Sequence, residues 1–584
     1  MAQESLGRML QLIFFSALFG VLTSLCFLQL HVGFLSAVAL VPLFRVILHD
    51  APAESRGQQG GRPTAGGTAP KKVVGASTQP SARRGAWCEL KRGFGRGWVA
   101  GLFFFAITFY WIPFLPAENV TVPYLMLPAY LVMAAYLALY IGLFGALLRL
   151  VHARVTTRVV LTAPFMWLVV ELLRARGTLG FPWASLGYAL YEYPRFIQFA
   201  SFCSVYGVGF VLVVVNALVY DSFVSKRMRK LTGVLAACCF IAAAGVSGSL
   251  MMRDAGAPQS AGEDRAGSMT GGSPGGKPGG TAPAATELKV GLVQPNMSSS
   301  IKWDERFRAH NLQVLLQLTE KIGRERPDLI IWPETATPFY FRQEPAYVEL
   351  LMRTVNKLDI PLLIGFPDAL PKDGDYVYYN SAGLIVPKWG LVEKYNKVHL
   401  VPFGERIPYD DVFTFLQKVD LGEGDFQRGD TYTVFKLGTE PGSAVRPEVR
   451  GATFSVLVCF ESIFPELIRS FKQRDAQFLV NITNDEWFGR TAAPYQHAYM
   501  AVFRAVETRS SIARCANTGV SMLIDPWGRI TLQSGLFTRE ALVGTIRLMA
   551  TKTFFTRHGF LLLWPLAAVA GLEVVAALLR RKAS

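Results

Sequence analysis

Residues 454–462 read FSVLVCFES, a β-branched apolar run that ends in a cysteine and a glutamate. Four other short apolar runs end in the same way, in polar or turn residues: ELKVGLVQPN (287–296), DLIIWPET (328–335), PLLIGFPD (361–368) and FLVNITND (478–485). Helix-like stretches lie between or beside them, at 305–323, 343–357, 463–474 and 495–509. Strands that alternate with helices predict a buried α/β sheet domain, with functional residues gathered where the strands end.

The reactive residue types of this region fall at those strand ends. Glu334 follows the strand DLIIW, and Cys459 with Glu461 follows FSVLV. Lys397 and Glu405 lie in KYNKVHLVPFGE (394–405), which is rich in turn residues. A thiolate is a nucleophile, a carboxylate can take its proton, and an ammonium favours the thiolate and can stabilise an oxyanion. Each residue alone is more often structural, but together they predict covalent acyl chemistry.

The composition of the whole chain indicates a membrane protein. Of its 584 residues, 51% are hydrophobic and only 17% are charged, which excludes a disordered or ordinary soluble protein. Eight apolar runs approach the length that crosses a bilayer: 9–29, 31–48, 98–115, 122–150, 158–173, 196–223, 231–251 and 557–579. The first run lacks a signal-peptidase site, so we interpret it as a retained anchor rather than a cleaved signal.

The loop charges predict the orientation of these spans. Basic residues concentrate in loops 49–97, 150–157 and 224–230 and in the tail RRKAS, whereas loops 29–31 and 116–121 contain no Lys or Arg. By the positive-inside rule both termini are cytoplasmic. Residues 252–556 then lie outside the cytoplasm.

Two stretches, 51–85 and 253–286, are rich in Gly, Ala, Pro, Ser and Thr, which predicts linkers without a core. The second contains GGSPGGKP (271–278), a near miss to a phosphate-binding loop whose Pro278 stands where Ser or Thr is required. We therefore divide the chain as follows: a seven-span domain, 1–252, with a cytoplasmic insert at 51–85; a linker, 253–286; a catalytic domain, 287–548; and a final span with a basic tail, 549–584.

Ionisable residues also lie at the end of the fifth apolar run. Glu171 is followed by Arg174 and Arg176. Ionisable groups at membrane depth are often functional, but cations near a span end also reach to the interface. The sequence leaves open whether these residues contact a lipid headgroup or form an interfacial cluster.

WPET (332–335), KYNKVHLVPFGE and LVCFES (457–462) resemble the motifs of the carbon–nitrogen hydrolase, or nitrilase, superfamily. This resemblance extends over about 288–548 and implies a four-layer αββα sandwich with a Glu-Lys-Cys triad. The membrane arrangement and ELLRARGTLGFPWASLGYA (171–189) resemble the apolipoprotein N-acyltransferase family. The expected fold class is thus a polytopic α-helical membrane protein of about eight spans with an inserted nitrilase-like domain.

The resemblance implies a role for each matching residue. Cys459 would be the nucleophile, Glu334 the general base, Lys397 the oxyanion-stabilising cation and Glu405 a carboxylate that supports them. Three further positions match residues important in the family: Trp303, Asn380 and Glu461. Phe460 departs from the pattern, because relatives carry Tyr after the nucleophile; only an aromatic packing role carries over.

The implied reaction is acyl transfer in two steps, the last step of lipoprotein maturation. An acyl chain would pass from a membrane phospholipid to Cys459, and from this thioester to the N-terminal amine of the diacylglyceryl-cysteine of an apolipoprotein. The resemblance implies no cofactor, metal or nucleic acid. It implies a monomer in the cell inner membrane with a periplasmic catalytic domain. Two alternatives stay open: a membrane-tethered amidase that uses water, and a non-enzymatic membrane protein with a degenerate domain.

Overall fold

The computed structural model describes residues 2–49, 85–115, 123–224, 227–253, 286–298, 302–372, 374–407 and 426–580. The two predicted linkers lie outside these residues, apart from their end positions at 85, 253 and 286, and so does the glycine-rich segment 271–278.

The apolar runs form helices, because a segment in lipid must satisfy its backbone hydrogen bonds internally. The principal helices before the sheet domain are α1 (Ala2–Leu25), α2 (Val41–Leu48), α3 (Ala86–Thr108), α4 (Met126–Arg154), α5 (Ala163–Arg174), α6 (Ala200–Val224) and α7 (Arg227–Met251). The later ones are α8 (Glu305–Gly323), α9 (Pro345–Leu358), α10 (Pro465–Gln473), α11 (Ala493–Thr508) and α12 (Leu563–Leu579). Helix α6 is interrupted at Cys203 and Ser204, whose backbone angles are not helical.

The predicted count of about eight spans is not confirmed. Within the described residues, five segments are long and apolar enough to cross a membrane: Leu6–Leu25, Ala86–Phe114, Met126–Arg154, Ala200–Val224 and Thr232–Met251. The other three runs form shorter helices, because turns interrupt them. Helix α5 has only 12 residues, and at 1.5 Å per residue such a helix covers about 18 Å of a hydrocarbon core of roughly 30 Å.

The strands form two six-stranded sheets. The strands of the first are β1 (Glu287–Gln294), β2 (Leu329–Ile331), β3 (Leu362–Lys372), β4 (Asp375–Val386), β5 (Gly390–Asn396) and β12 (Glu540–Arg547), in the order β12-β1-β2-β3-β4-β5. Those of the second are β6 (Phe435–Lys436), β7 (Thr453–Val458), β8 (Phe478–Thr483), β9 (Ser511–Ala516), β10 (Met522–Ile524) and β11 (Ile530–Gln533), in the order β11-β10-β9-β8-β7-β6.

The two sheets pack face to face and helices cover their outer faces. Strand β1 contacts β9, and β4 contacts β7, across the interface between the sheets. Helices α8 and α9 pack together, and α8 lies on β1 and β12. Helix α11 lies on β9 and packs against α10. The result is the four-layer αββα arrangement, in which β7 and β8 run parallel and end at the same edge.

Glu171 and Arg174 hydrogen-bond to the loop that follows α5. Both are buried. Glu171 Oε1 accepts a 2.8 Å hydrogen bond from the backbone N–H of Leu186. The guanidinium of Arg174 donates to the carbonyls of Phe181 and Trp183, at 2.7 and 2.6 Å. The hydrogen bonds of these two side chains therefore join α5 to the 181–186 loop.

Candidate active site

Glu334 lies just beyond the end of β2 and is almost fully buried. One carboxylate oxygen accepts from the side-chain amide of Asn380 at 2.8 Å, and the other accepts from the backbone N–H of Asn484 at 2.8 Å. The backbone at Glu334 passes so close to β3 that a Cβ on Gly365 would lie 2.7 Å from the Glu334 Cα. Position 365 therefore has no room for a side chain, and the carboxylate is fixed in direction.

Lys397 lies at the end of β5 between two carboxylates and is 1% exposed. Its Nζ donates to Glu405 at 2.8 Å and lies 3.5 Å from Glu334. The Asn380 amide also donates to Glu405, at 2.9 Å. Burial opposes the charge, but the carboxylates of Glu405 and Glu334 outweigh it and raise the pKa of Lys397. Lys397 is therefore an ammonium ion in a nearly dry site.

Cys459 follows the last residue of β7 and begins a short 3₁₀ turn, Cys459–Ile463. Its φ of 51° lies in the left-handed region, which is costly for a residue with a Cβ. Burial raises the pKa of the Cys459 thiol and the Glu334 carboxylate adds to this, while Lys397 opposes it. Lys397 lowers the pKa of the thiol, as predicted, but burial and Glu334 together have the larger effect. The resting group is therefore a thiol, which a base must deprotonate during attack.

Glu461 joins the nucleophile turn to the segment that carries the lysine. Its Oε1 accepts from the Tyr395 hydroxyl and from the backbone N–H groups of Val398 and His399, at 2.8, 2.8 and 3.0 Å. Its Oε2 accepts from the backbone N–H of Val458 at 2.8 Å. A fully buried carboxylate with four donors holds both segments in register. Glu461 is a positioning residue and lies outside the cavity.

The predicted residues converge on one cavity of about 400 Å³. It is lined by Glu334, Asn380, Lys397, Glu405 and Cys459, and its apolar wall includes Trp303, Tyr340, Phe426, Trp487 and Phe488. Trp303 is 41% exposed and thus lies at the rim. Phe460 does not line the cavity. It is buried, stacked on Phe181 from the membrane part with ring centroids 6.2 Å apart.

Three contributors escaped the sequence analysis. They are the backbone N–H of Asn484, the hydroxyl of Tyr395 and the buried pair formed by Asp485 and His497. A signal existed for the first and third, because FLVNITND ends in polar residues beside the strand that carries the cysteine. Within the described residues, no group of three or more His, Cys, Asp or Glu side chains could hold a metal ion.

A cysteine, a carboxylate and a buried ammonium in one cavity can perform acyl transfer through a thioester. The family model described as "Carbon-nitrogen hydrolase" matches residues 289–554, so this domain is of the nitrilase type. Solved structures resemble it at low overall scores. The Saccharomyces cerevisiae nitrilase-superfamily protein Nit3 is 21% identical, with a TM-score of 0.32, over 45% of this chain and 90% of its own. An amidase from Nesterenkonia sp. AN1 is 18% identical, with a TM-score of 0.35, over 49% of this chain and 99% of its own.

The N-terminal part of the chain identifies the family within this superfamily. The family model described as "Apolipoprotein N-acyltransferase N-terminal domain" matches residues 81–218. The apolipoprotein N-acyltransferase of Geobacter metallireducens is 34% identical over 85% of this chain and 88% of its own. That of Chlorobaculum tepidum is 31% identical over 72% of this chain and 77% of its own. The chain belongs to the apolipoprotein N-acyltransferase family. It is therefore a multi-pass membrane acyltransferase with a nitrilase-like domain.

Proposed function

We propose that this protein transfers a fatty acyl chain from the sn-1 ester of a membrane phospholipid to the N-terminal amine of diacylglyceryl-cysteine in apolipoproteins. The observation that carries the proposal is the convergence of Glu334, Lys397 and Cys459 on one partly apolar cavity. Such a cavity suits an acyl chain at one end and charged reaction centres at the other. The relatives named above are called apolipoprotein N-acyltransferases, which supports the same acceptor.

In the first step, Glu334 takes the proton of the Cys459 thiol while Sγ attacks the ester carbonyl carbon. The carbonyl oxygen becomes an oxyanion that the Lys397 ammonium stabilises. The tetrahedral intermediate then collapses and the carbon–oxygen bond to glycerol breaks. Glu334 returns its proton to the glycerol oxygen, so lysophospholipid leaves and the acyl chain remains as a thioester on Cys459.

In the second step, the acceptor amine attacks the thioester carbonyl. Glu334 takes a proton from the amine nitrogen, which becomes the amide nitrogen of the product. The carbon–sulfur bond breaks, and the departing sulfur receives the proton that Glu334 holds. The raised thiol pKa, caused by burial and by Glu334, favours this return to the protonated resting state. The same carboxylate serves both steps, as microscopic reversibility requires.

The rival activity within this superfamily is amide hydrolysis, with water in place of the amine. The triad is compatible with both reactions. The aromatic wall formed by Trp303, Trp487 and Phe488 favours the acyltransferase, since an apolar wall suits an acyl chain. The family match of the membrane part favours it as well.

We also propose the placement in the cell that the loop charges predict. The chain would lie in the cell inner membrane with both termini cytoplasmic and residues 287–548 forming a periplasmic catalytic domain. It would act as a monomer, with phospholipid and apolipoprotein as its partners. Both substrates carry acyl chains in the same bilayer, so an enzyme anchored there reaches them without extracting either one.

Intact mass spectrometry of the full-length protein in phospholipid-containing micelles tests the proposal. We expect a mass increase of one acyl chain, mapped to Cys459, that disappears when a diacylglyceryl-cysteine peptide is added and reappears on that peptide. Cys459→Ser should show no thioester, whereas Cys88→Ser, a control cysteine on α3, should behave as the unmodified protein. An adduct that discharges only to free fatty acid would instead identify an amidase-like hydrolase. A Cys459→Ser protein that still forms a thioester would disprove the nucleophile.

A further inference from the structure

The backbone at Cys459 needs outside support. Its φ of 51° places a non-glycine residue in the left-handed region, where the cost is on the order of 1–3 kcal/mol. Such a conformation persists only when neighbouring groups hold it. The Cys459 carbonyl oxygen lies 3.0 Å from Ser462 Oγ, within the same turn. Nε2 of His497 lies 3.2 Å from that Oγ and 3.1 Å from the carbonyl oxygen. His497 therefore contacts the turn of the nucleophile at two atoms.

His497 is itself held from behind by an ionised aspartate. The ring is 1% exposed on α11, and its Nδ1 lies 2.8 Å from Asp485 Oδ1. Burial disfavours the charge on Asp485, but Arg514 and His497 lower the pKa of Asp485 to about 2. An ionised carboxylate only accepts hydrogen bonds, so Nδ1 carries the proton. Burial and Arg514 lower the pKa of His497, so the ring is neutral and its unprotonated Nε2 accepts from the Ser462 hydroxyl. Arg514 donates to the second oxygen of Asp485 at 2.8 Å.

The packing leaves room for this pair. A Cβ on Gly519 would lie 2.1 Å from Asp485 Oδ2, so any larger residue at position 519 would displace the carboxylate. On its other face, the His497 ring stacks on Trp183 from the membrane part, with centroids 5.5 Å apart and planes 24° apart. Trp183 Nε1 also donates to the neighbouring Gln496 at 2.9 Å. The histidine is thus held by both parts of the protein.

We propose that His497 is a positioning residue for the reaction: oriented by Asp485, it holds Ser462, and with it the Cys459 turn, so that the sulfur faces the substrate carbonyl. Trp183 completes the support, so the docked membrane part contributes to the placement of the nucleophile. The proposal rests on Cys459 being the nucleophile. Displacing a reacting group by about 1 Å can cost on the order of 10²-fold in rate. The loss should fall on the acylation rate constant and leave the phospholipid KM unchanged.

Single-turnover acylation of the full-length protein by phospholipid, followed by intact mass, tests this. His497→Ala should lower the acylation rate constant by about 10²-fold with an unchanged phospholipid KM. His497→Gln should recover much of the rate, because its amide oxygen can accept from the Ser462 hydroxyl in place of Nε2. Gly519→Ala should lower the rate without touching the histidine. His310→Gln, on the exposed face of α8, is the matched control and should match the unmodified protein.

Equal rates for His497→Ala and the unmodified protein would overturn the inference. Equal defects in the Ala and Gln variants would overturn it too, since only packing would then matter. If His497→Ala fails to insert or fold, the acylation rates of His497→Gln and Gly519→Ala test the inference instead. A normal rate in Gly519→Ala would refute the orienting role of Asp485. If the unmodified protein forms no adduct on Cys459, the proposed nucleophile fails instead. The two failures are therefore distinguishable.

Discussion

Replacing Lys397 by methionine removes a charge and keeps most of the side-chain length. In the structure its ammonium lies 2.8 Å from Glu405 and 3.5 Å from Glu334, at 1% exposure. Both carboxylates also accept from the one amide of Asn380, at 2.8 and 2.9 Å. The variant would lose the charge that faces the oxyanion, a loss of about 10²–10³ in rate. It would also leave two buried carboxylates without a cation, which costs roughly 3–5 kcal/mol of stability.

A second substitution separates the two effects. Lys397→Met combined with Glu405→Gln removes one charge of each sign, so we expect most of the lost stability to return and none of the activity. The assays are the rate constant of acyl-enzyme formation by intact mass and thermal unfolding in detergent. Lys394→Met is the matched control: Lys394 pairs with buried Asp368 at 2.6 Å, outside the cavity. It should lose stability and keep the acylation rate.

Two results would refute this reasoning. An acylation rate in Lys397→Met within about tenfold of the unmodified enzyme would exclude the oxyanion role, since one such donor is worth 10²-fold or more. Recovery of activity in the double variant would show that Lys397 serves only to neutralise Glu405. In that case another donor must face the oxyanion.

Three further predictions concern the nucleophile, its support and the topology. In Glu334→Gln, Cys459 should be alkylated by iodoacetamide with a midpoint at lower pH, because the carboxylate that raises the pKa of the thiol is gone; acyl transfer should nevertheless be lost, and an unchanged midpoint would contradict the electrostatic account. Glu461→Gln should slow acylation about 10²-fold by loosening the Val458 and Val398 segments, with Glu466→Gln, at the start of α10, as an unaffected control. A reporter inserted in 253–286 should behave as extracytoplasmic and one in 51–85 as cytoplasmic; the reverse pattern would reject the loop-charge argument.

The sequence alone predicted the fold class and the reactive residues of the cavity, Glu334, Lys397 and Cys459. Short apolar runs that end in polar residues indicate strands whose ends meet at one edge, and Glu334 and Cys459 lie at two such ends. Helix periodicity was equally informative, since the predicted helix 305–323 is α8, Glu305–Gly323. The motif that contains Lys397 and Glu405 helped to indicate the nitrilase superfamily. These features are local, so the order of residues along the chain carries them.

The tertiary structure decided the features that depend on packing between distant segments. The span count is not confirmed, because run length does not reveal where turns interrupt a helix, as in the 12-residue α5. Glu171 and Arg174 were ambiguous because their partners, at 181–186, become visible only when that loop folds back. The protonation of Cys459 depends on the balance of burial against the nearby charges. Asp485 and His497 are 12 positions apart, and only the meeting of β8 with α11 places them behind the nucleophile.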